Sequence, residues 1–248
     1  MTITSPDNAK LKTIRKLIAR RRERDHAGLF VAEGEDLLAA ADAAGWAAQD
    51  RLVVEGSGID GVEVQASLLA GVSSLGSGTR ALGVYEERWL PTAVGPLCVY
   101  LHGVHDPGNV GTILRSAEAF GASCVAVGPG CADPFGPKAV RASMGSIFTV
   151  PLARATSIEE LPGTTVALVP GDGPPLSILW RSGHEIADQI AIEPDLTLLI
   201  GAEREGLPAH LADQATTKAH IPIESHSLNA AMAATVALYE VTRMARAR

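Results

Sequence analysis

Three observations predict an α/β fold with a parallel sheet in a larger C-terminal domain, preceded by a smaller α/β domain. Strand-like and helix-like segments alternate along most of the chain, the pattern of layered α/β architecture. The segments "VALV" and "LTLLI" are apolar throughout rather than alternating, as strands buried on both faces of a parallel sheet are. Between the two parts, "RWLPTAVGP" carries two prolines and reads as a linker, which places the smaller domain at 1–90 and the larger at 95–248.

Composition agrees with this. The 248 residues suit two modest domains, and 46% hydrophobic with 20% charged residues is enough to bury a core, which argues against disorder. No apolar run is long enough to cross a bilayer, and "MTITSPDNAKLK" lacks the pattern of a signal peptide, so the chain reads as soluble and cytoplasmic. Cys98, Cys124 and Cys131 are odd in number and fall at no zinc-like spacing; buried thiols are expected, with no metal site.

In order, Ser5-Pro6-Asp7 starts a helix whose apolar positions Leu11, Ile14, Leu17 and Ile18 recur at helical spacing, and which is expected to run to Arg24. A strand at Leu29–Ala32 follows, then a helix ending at Gly45. Next come strands at "RLVVEG" and "VEVQ", a short helix near Ser67–Ala70 and a strand at "ALGVYEE". The second part reads as strand "LCVYLHGV", helix "GTILRSAEAFG", strand "CVAVGPG" and helix "PKAVRASMGSIF". Strands "TTVALVPG" and "DLTLLIGA" and a long helix from Leu228 to Arg246 complete it.

Charge is unevenly spread. The chain carries −7 overall, yet residues 1–24 hold eight cations against Asp7 and Glu23, a segment of +6 that leaves −13 for the rest. Lys10, Lys12, Arg20, Arg21 and Arg22 are the candidate RNA contacts, since such cations gain affinity by releasing counterions from a phosphate backbone. A solvated helix face is the alternative.

Ligands of parallel sheets bind at the carboxyl ends of the strands, and three polar turns fall there. In the first, Asn109 stands before a helix whose amides it can cap, and Gly111 allows close approach of backbone or anion. Arg115 and Glu118 lie one turn apart and can pair. In the second, "LLIGAEREGLP", Glu203 stands at a strand's carboxyl end, where an acid can face a cationic ligand. In the third, "HIPIESHSLNAAMA", Ser227 and Asn229 open a helix, and Ser227 alone could be a simple cap. Dinucleotide, phosphate-loop and nucleophile-elbow motifs are missing.

Together, in this order, "NVGTILRSAEAFG", "LIGAEREGLP" and "IPIESHSLNAAMA" resemble the three motifs of the SpoU/TrmH branch of the SPOUT RNA 2′-O-methyltransferases, from about Leu97 to the C-terminus. The N-terminal part, through "LFVAEGEDLL", resembles the ribosomal-protein-like RNA-binding module of rRNA-modifying members, including the thiostrepton-resistance type. The resemblance implies a deep trefoil knot, an exception to the rule that chains do not thread loops. It also implies a homodimer and S-adenosylmethionine as cofactor. Val169, Gly201, Ile221 and Leu228 fall on the cofactor-contacting positions; Asn109, Arg115, Glu203, Ser227 and Asn229 fall on those around the reacting ribose, with Glu118 orienting Arg115. Each site would be completed by the partner's arginine. The loop "IESH" between Pro222 and Ser227 is shorter than is usual in the family.

The expected function is methyl transfer to an RNA ribose 2′-hydroxyl, with rRNA the expected substrate. A protonated guanidinium has no acceptor lone pair, so Arg115 is expected to bind phosphate and stabilise the developing alkoxide rather than to act as a base. A tRNA substrate, or a non-catalytic RNA-binding chain whose short loop impairs cofactor binding, are the alternatives.

Overall fold

The chain enters its first helix, α1 (Ala9–Ala19), through Asn8, whose side-chain oxygen accepts from the Lys10 amide at 2.9 Å. The computed structural model describes residues 2–75, 78–179, 195–224 and 227–245. The single basic helix expected to reach Arg24 is two: the backbone is extended at Arg20 (φ −137°, ψ 122°) before α2 (Arg21–Ala27) begins. After this break Arg24 is buried, with Nη1 donating to the Leu17 carbonyl at 2.5 Å.

The smaller sheet follows, from β1 (Leu29–Glu33), α3 (Glu35–Ala43), β2 (Asp50–Val54), β3 (Val62–Val64), α4 (Ala66–Ala70) and β4 (Ala81–Glu86). Its order is β1-β4-β2-β3, with β4 antiparallel to both β1 and β2. One face packs Val31, Leu52, Leu82 and Val84 against Leu11, Ile14 and Leu17 of α1, the residues whose spacing predicted an amphipathic helix.

The larger sheet is built from β5 (Trp89–Leu90), β6 (Leu97–Leu101), β7 (Cys124–Val127), β8 (Leu152–Arg154), β9 (Thr164–Leu168), β10 (Leu196–Ile200) and β11 (Thr217–Ala219). Its order is β11-β9-β10-β6-β7-β8-β5 and every pairing is parallel. β6 and β10 are buried at every position, in line with their unbroken apolar sequence. Trp89 and Leu90, which the sequence assigns to the linker, instead form the sheet's edge strand against β8. The helices are α5 (Pro107–Ala119), α6 (Pro137–Ala142), α7 (Ala209–Gln214) and α8 (Ala230–Ala245).

The helix expected over Pro137–Phe148 stops at Ala142: Met144 and Gly145 both have positive φ, and a short 3-10 turn carries Ser146–Phe148. α5 and α6 cross in direct contact at Gly111. A Cβ there would lie 2.4 Å from the Ala139 carbonyl oxygen and 2.6 Å from the Ala142 Cβ, so only glycine fits.

One apolar core joins the two sheets. Phe30 of β1 stacks on Phe135 at 4.8 Å between centroids and on Phe148 at 5.9 Å, and Trp46 donates from Nε1 to the Phe148 carbonyl at 2.8 Å. Arg24 and Asp133 form an ion pair across the same seam at 2.7 Å, both nearly buried. The three cysteines are buried thiols, with the Cys98 and Cys124 sulfurs 3.4 Å apart across β6 and β7. No helix among the described residues is long and apolar enough to cross a membrane.

Candidate active site

The carboxyl ends of β9, β10 and β11 open into one pocket of about 220 Å³. Leu168 ends β9, and Val169 and Pro170 follow it; Ile200 ends β10 and Gly201 follows; His220 and Ile221 follow β11; Leu228, just before α8, and Ala230 and Ala233 within it close the pocket. All four positions expected to contact a cofactor, Val169, Gly201, Ile221 and Leu228, therefore line the same cavity. A Cβ at Gly201 would lie 2.2 Å from the Gly206 carbonyl carbon and from the Leu207 nitrogen, so the loop folds back on itself only because position 201 has no side chain.

A second cleft, lined by His105, Asp106, Pro107 and Asn109, shares Ala202, Glu203, Arg204 and Glu205 with the first. Glu203 stands where the two meet. Its carboxylate accepts from Asn109 Nδ2, and Asn109 Oδ1 in turn accepts from Asn229 Nδ2 at 3.0 Å. Asn229 Oδ1 caps α8 by accepting from the Ala231 amide at 2.9 Å and the Met232 amide at 3.3 Å. One residue from each of the three sequence motifs is thus joined in a single side-chain chain. Ser227 lines the first cavity beside it.

Several sequence expectations are corrected here. Asn109 is not the cap of α5: the helix begins two residues earlier, at Pro107, and Asp106 Oδ1 accepts from the Gly108 amide at 2.6 Å and the Asn109 amide at 3.2 Å. An Asp followed by a proline at the first helical position is itself a start signal, which would have moved the boundary. Being inside the helix frees the Asn109 side chain to bridge Glu203 and Asn229. Glu118 does not orient Arg115; it accepts from the hydroxyls of Ser146 and, at 2.6 Å, Thr149, which brace the turn after α6. Arg115 is exposed, makes no ion pair among the described residues, and does not line the pocket.

The basic segment is partly self-neutralised. Lys10 pairs with Asp50, Lys12 with Asp7 at 2.9 Å and Arg21 with Asp25 at 3.5 Å, while Arg20 and Arg22 make no ion pair among the described residues. Exposed pairs of this kind are weak and can exchange for phosphate contacts, yet they lower the local positive field. Leu168, Pro170, Ile200 and His220 went unrecognised as pocket residues, because residues at and just beyond a strand's end carry no periodic signal of their own. Ser225 and His226 of the short loop, and Arg246 at the expected end of α8, lie outside the described residues.

The pocket suits S-adenosylmethionine chemically. Aliphatic walls from Leu168, Val169, Ile200, Ile221 and Leu228 fit a flat adenine, loop backbone can meet its polar edge, and the Glu203 and Glu205 carboxylates suit a cation. No cluster of His, Cys, Asp or Glu arranged for a metal occurs among the described residues.

The fold that carries this pocket and relay is shared with known RNA methyltransferases. The structure superposes on the AdoMet-bound rRNA methyltransferase from Sinorhizobium meliloti with a TM-score of 0.82 at 30% identity, covering 98% of this chain and 97% of that one. It superposes on the AdoMet complex of the SpoU methyltransferase AviRb from Streptomyces viridochromogenes with a TM-score of 0.80 at 26% identity, covering 96% and 98%. The 23S rRNA (guanosine(2553)-2′-O)-methyltransferase RlmP of Bacillus subtilis is 26% identical over 96% of this chain and 98% of its own length. The SpoU rRNA methylase family model matches residues 96–239, and the chain belongs to that family.

Proposed function

We propose that this protein methylates ribosomal RNA, with the N-terminal unit holding the RNA and the larger domain carrying out the transfer. The enzyme is an S-adenosylmethionine-dependent RNA ribose 2′-O-methyltransferase. The observation that carries this reading is the chain Asn229–Asn109–Glu203, which stands where the cavity lined by the four cofactor positions meets a second, polar cleft. Val169, Gly201, Ile221 and Leu228 would hold the cofactor. The cofactor supplies an electrophilic methyl group, so the protein's task is to align a hydroxyl with it and exclude competing geometries.

Asn109 and Asn229 fix the rotamer of Glu203, leaving its second oxygen to orient a ligand. Arg115 lies outside this chain's own pocket and serves the partner subunit's site. The dimer that this requires has a surface on α8, where Met232, Val236 and Tyr239 are 61%, 41% and 52% exposed at one-turn and two-turn spacing. α8 packs on Arg115's helix through Ser116 Oγ and Thr235 Oγ1, 2.6 Å apart, and through the Phe120 and Tyr239 rings. A second copy covering that stripe brings Arg115 to a neighbouring site. The knot that the family resemblance implies would involve the close folding of the Gly201–Leu207 loop.

Transfer from labelled S-adenosylmethionine to deproteinised rRNA, followed by mapping of the modified nucleotide, tests the reading. Label on a ribose of rRNA is expected; label confined to tRNA moves the substrate, and no cofactor binding by calorimetry leaves only the RNA-binding alternative. Arg115→Lys keeps the charge and loses the planar fork, so a drop in transfer rate of about tenfold or more is expected. Full activity with an unchanged pH–rate profile would rule out a need for the fork.

A further inference from the structure

Helix α6 carries two cations that neither the catalytic reading nor the basic N-terminal segment uses. Lys138 is exposed, Arg141 is half-buried, and neither makes an ion pair among the described residues. Their position matters because α6 touches both units. At its first end, a Cβ on Gly136 would lie 3.6 Å from Arg24 Nη2 of α2, and Asp133 just before it holds the Arg24 guanidinium. At its other end, Ala139 and Ala142 press on Gly111 of α5, one turn before Arg115. Six helical residues span about 9 Å, so α6 bridges the two helices over a short distance.

Each of these three neighbouring elements presents positive charge that is unpaired among the described residues. Arg20 and Arg22 are exposed at α2, Lys138 and Arg141 lie on α6, and Arg115 is exposed on α5. In a chain of net charge −7 with 28 acidic residues, cations left without a carboxylate partner along one path are available for an anionic ligand. Of the acids beside the path, Asp133 is engaged with Arg24, Asp25 with Arg21, and Glu118 with Ser146 and Thr149; Glu23 of α2 is the one without a side-chain partner among the described residues, against five cations. The seam is also packed: the aromatic contacts of Phe30 with Phe135 and Phe148 cross it.

We propose that bound RNA crosses the seam along α6, with Lys138 and Arg141 holding backbone phosphates between the α2 surface and the Arg115 end of α5. This rests on the RNA methyltransferase reading above and extends it to a path. Phosphate contacts of this kind set register rather than sequence preference. A seam held by packed rings fixes the distance from the N-terminal contacts to the reacting ribose.

The test uses the intact protein and deproteinised rRNA. The double variant Lys138→Gln/Arg141→Gln should flatten the plot of log binding constant against log salt by about 1.4 to 1.8, two phosphate contacts' worth. KM for RNA should rise several-fold while kcat and S-adenosylmethionine affinity hold. The charge-preserving variant Lys138→Arg/Arg141→Lys should keep the parent's slope and KM, which separates charge from folding. If the parent methylates RNA but the double variant keeps its salt slope and KM, the path is wrong and the enzyme reading stands. If the parent binds S-adenosylmethionine yet neither binds nor methylates rRNA, both fail.

Discussion

Asn229 donates to Asn109 across 3.0 Å, joining the start of the last helix to a helix 120 residues earlier in the chain, and Asn109 passes the constraint to Glu203. Residues held in such a chain act as a unit, and units respond to substitution non-additively. Asn109→Ala is expected to lower kcat by roughly 10- to 100-fold through misplacement of Glu203, with little change in cofactor affinity. Adding Asn229→Ala to it should lower kcat hardly further. Single-turnover transfer rates of the two single variants and the double decide this; multiplicative losses would mean that the residues work separately.

Asn229 also has a structural role, so its variant needs a second readout. Losing the α8 cap, which accepts from Ala231 and Met232, should destabilise the protein by about 1 kcal/mol, whereas Asn229→Asp keeps the cap acceptor and loses the donor to Asn109. Asn229→Asp is therefore expected to retain most of the thermal stability while losing activity.

Glycine substitution separates the pocket from the scaffold. Gly201→Ala drives a methyl group into the Gly206–Leu207 backbone and should abolish cofactor binding measured by calorimetry. Gly111→Ala acts elsewhere, forcing α5 and α6 apart, with a loss of about 1–3 kcal/mol and a melting temperature lower by several degrees.

Much of this was legible in the sequence because it follows from local pattern. The apolar runs "LTLLI" and "VALV" became central parallel strands, and the residues after them became the pocket wall. Where the reading fell short, the deciding contacts are long-range. Nothing near Arg24 in sequence announces Asp133, 109 positions away, and nothing in "RWLP" shows that Trp89 would find an edge at Leu152. Arg115 and Glu118 have ideal spacing for a helical pair, but Ser146 and Thr149 offer Glu118 two hydroxyl donors, and the pair does not form.

The Arg24–Asp133 pair makes the seam sensitive to which partner is removed. With side chains only 7% and 11% exposed, Asp133→Ala leaves a guanidinium buried without its counter-charge, a loss of about 3–5 kcal/mol. Arg24→Met strands the Asp133 carboxylate in turn, but that group keeps the Phe135 amide as a donor and can take up a proton, which a guanidinium cannot lose, so this should be the milder change. Denaturant unfolding of both variants tests the order; equal losses would place the energy in packing rather than in charge.

Glu87 predicts a pH dependence. Its Oε2 accepts from Trp89 Nε1 at 3.0 Å, but its Oε1 is buried with no hydrogen-bond partner among the described residues. Burial, reinforced by Asp133 and Asp25, pushes its carboxyl above the usual 4.5, against the opposing pull of Trp89 and Arg154. A raised folded-state value means that the native protein holds this proton more tightly than the unfolded chain. The associated stability is complete below the unfolded value and is lost as pH climbs through the folded one. Glu87→Gln removes the ionisable group and keeps an acceptor for Trp89. Its melting temperature is expected to exceed the parent's at pH 7–8 by ~2–4 °C, about 1 kcal/mol once partial exposure is allowed for. The gap should narrow as pH falls through and below 4.5, where the parent's own Glu87 takes up its proton. A gap that stays constant across that range would assign the gain to packing, and a parent more stable than the variant at pH 8 would mean that the ionised carboxylate is compensated after all.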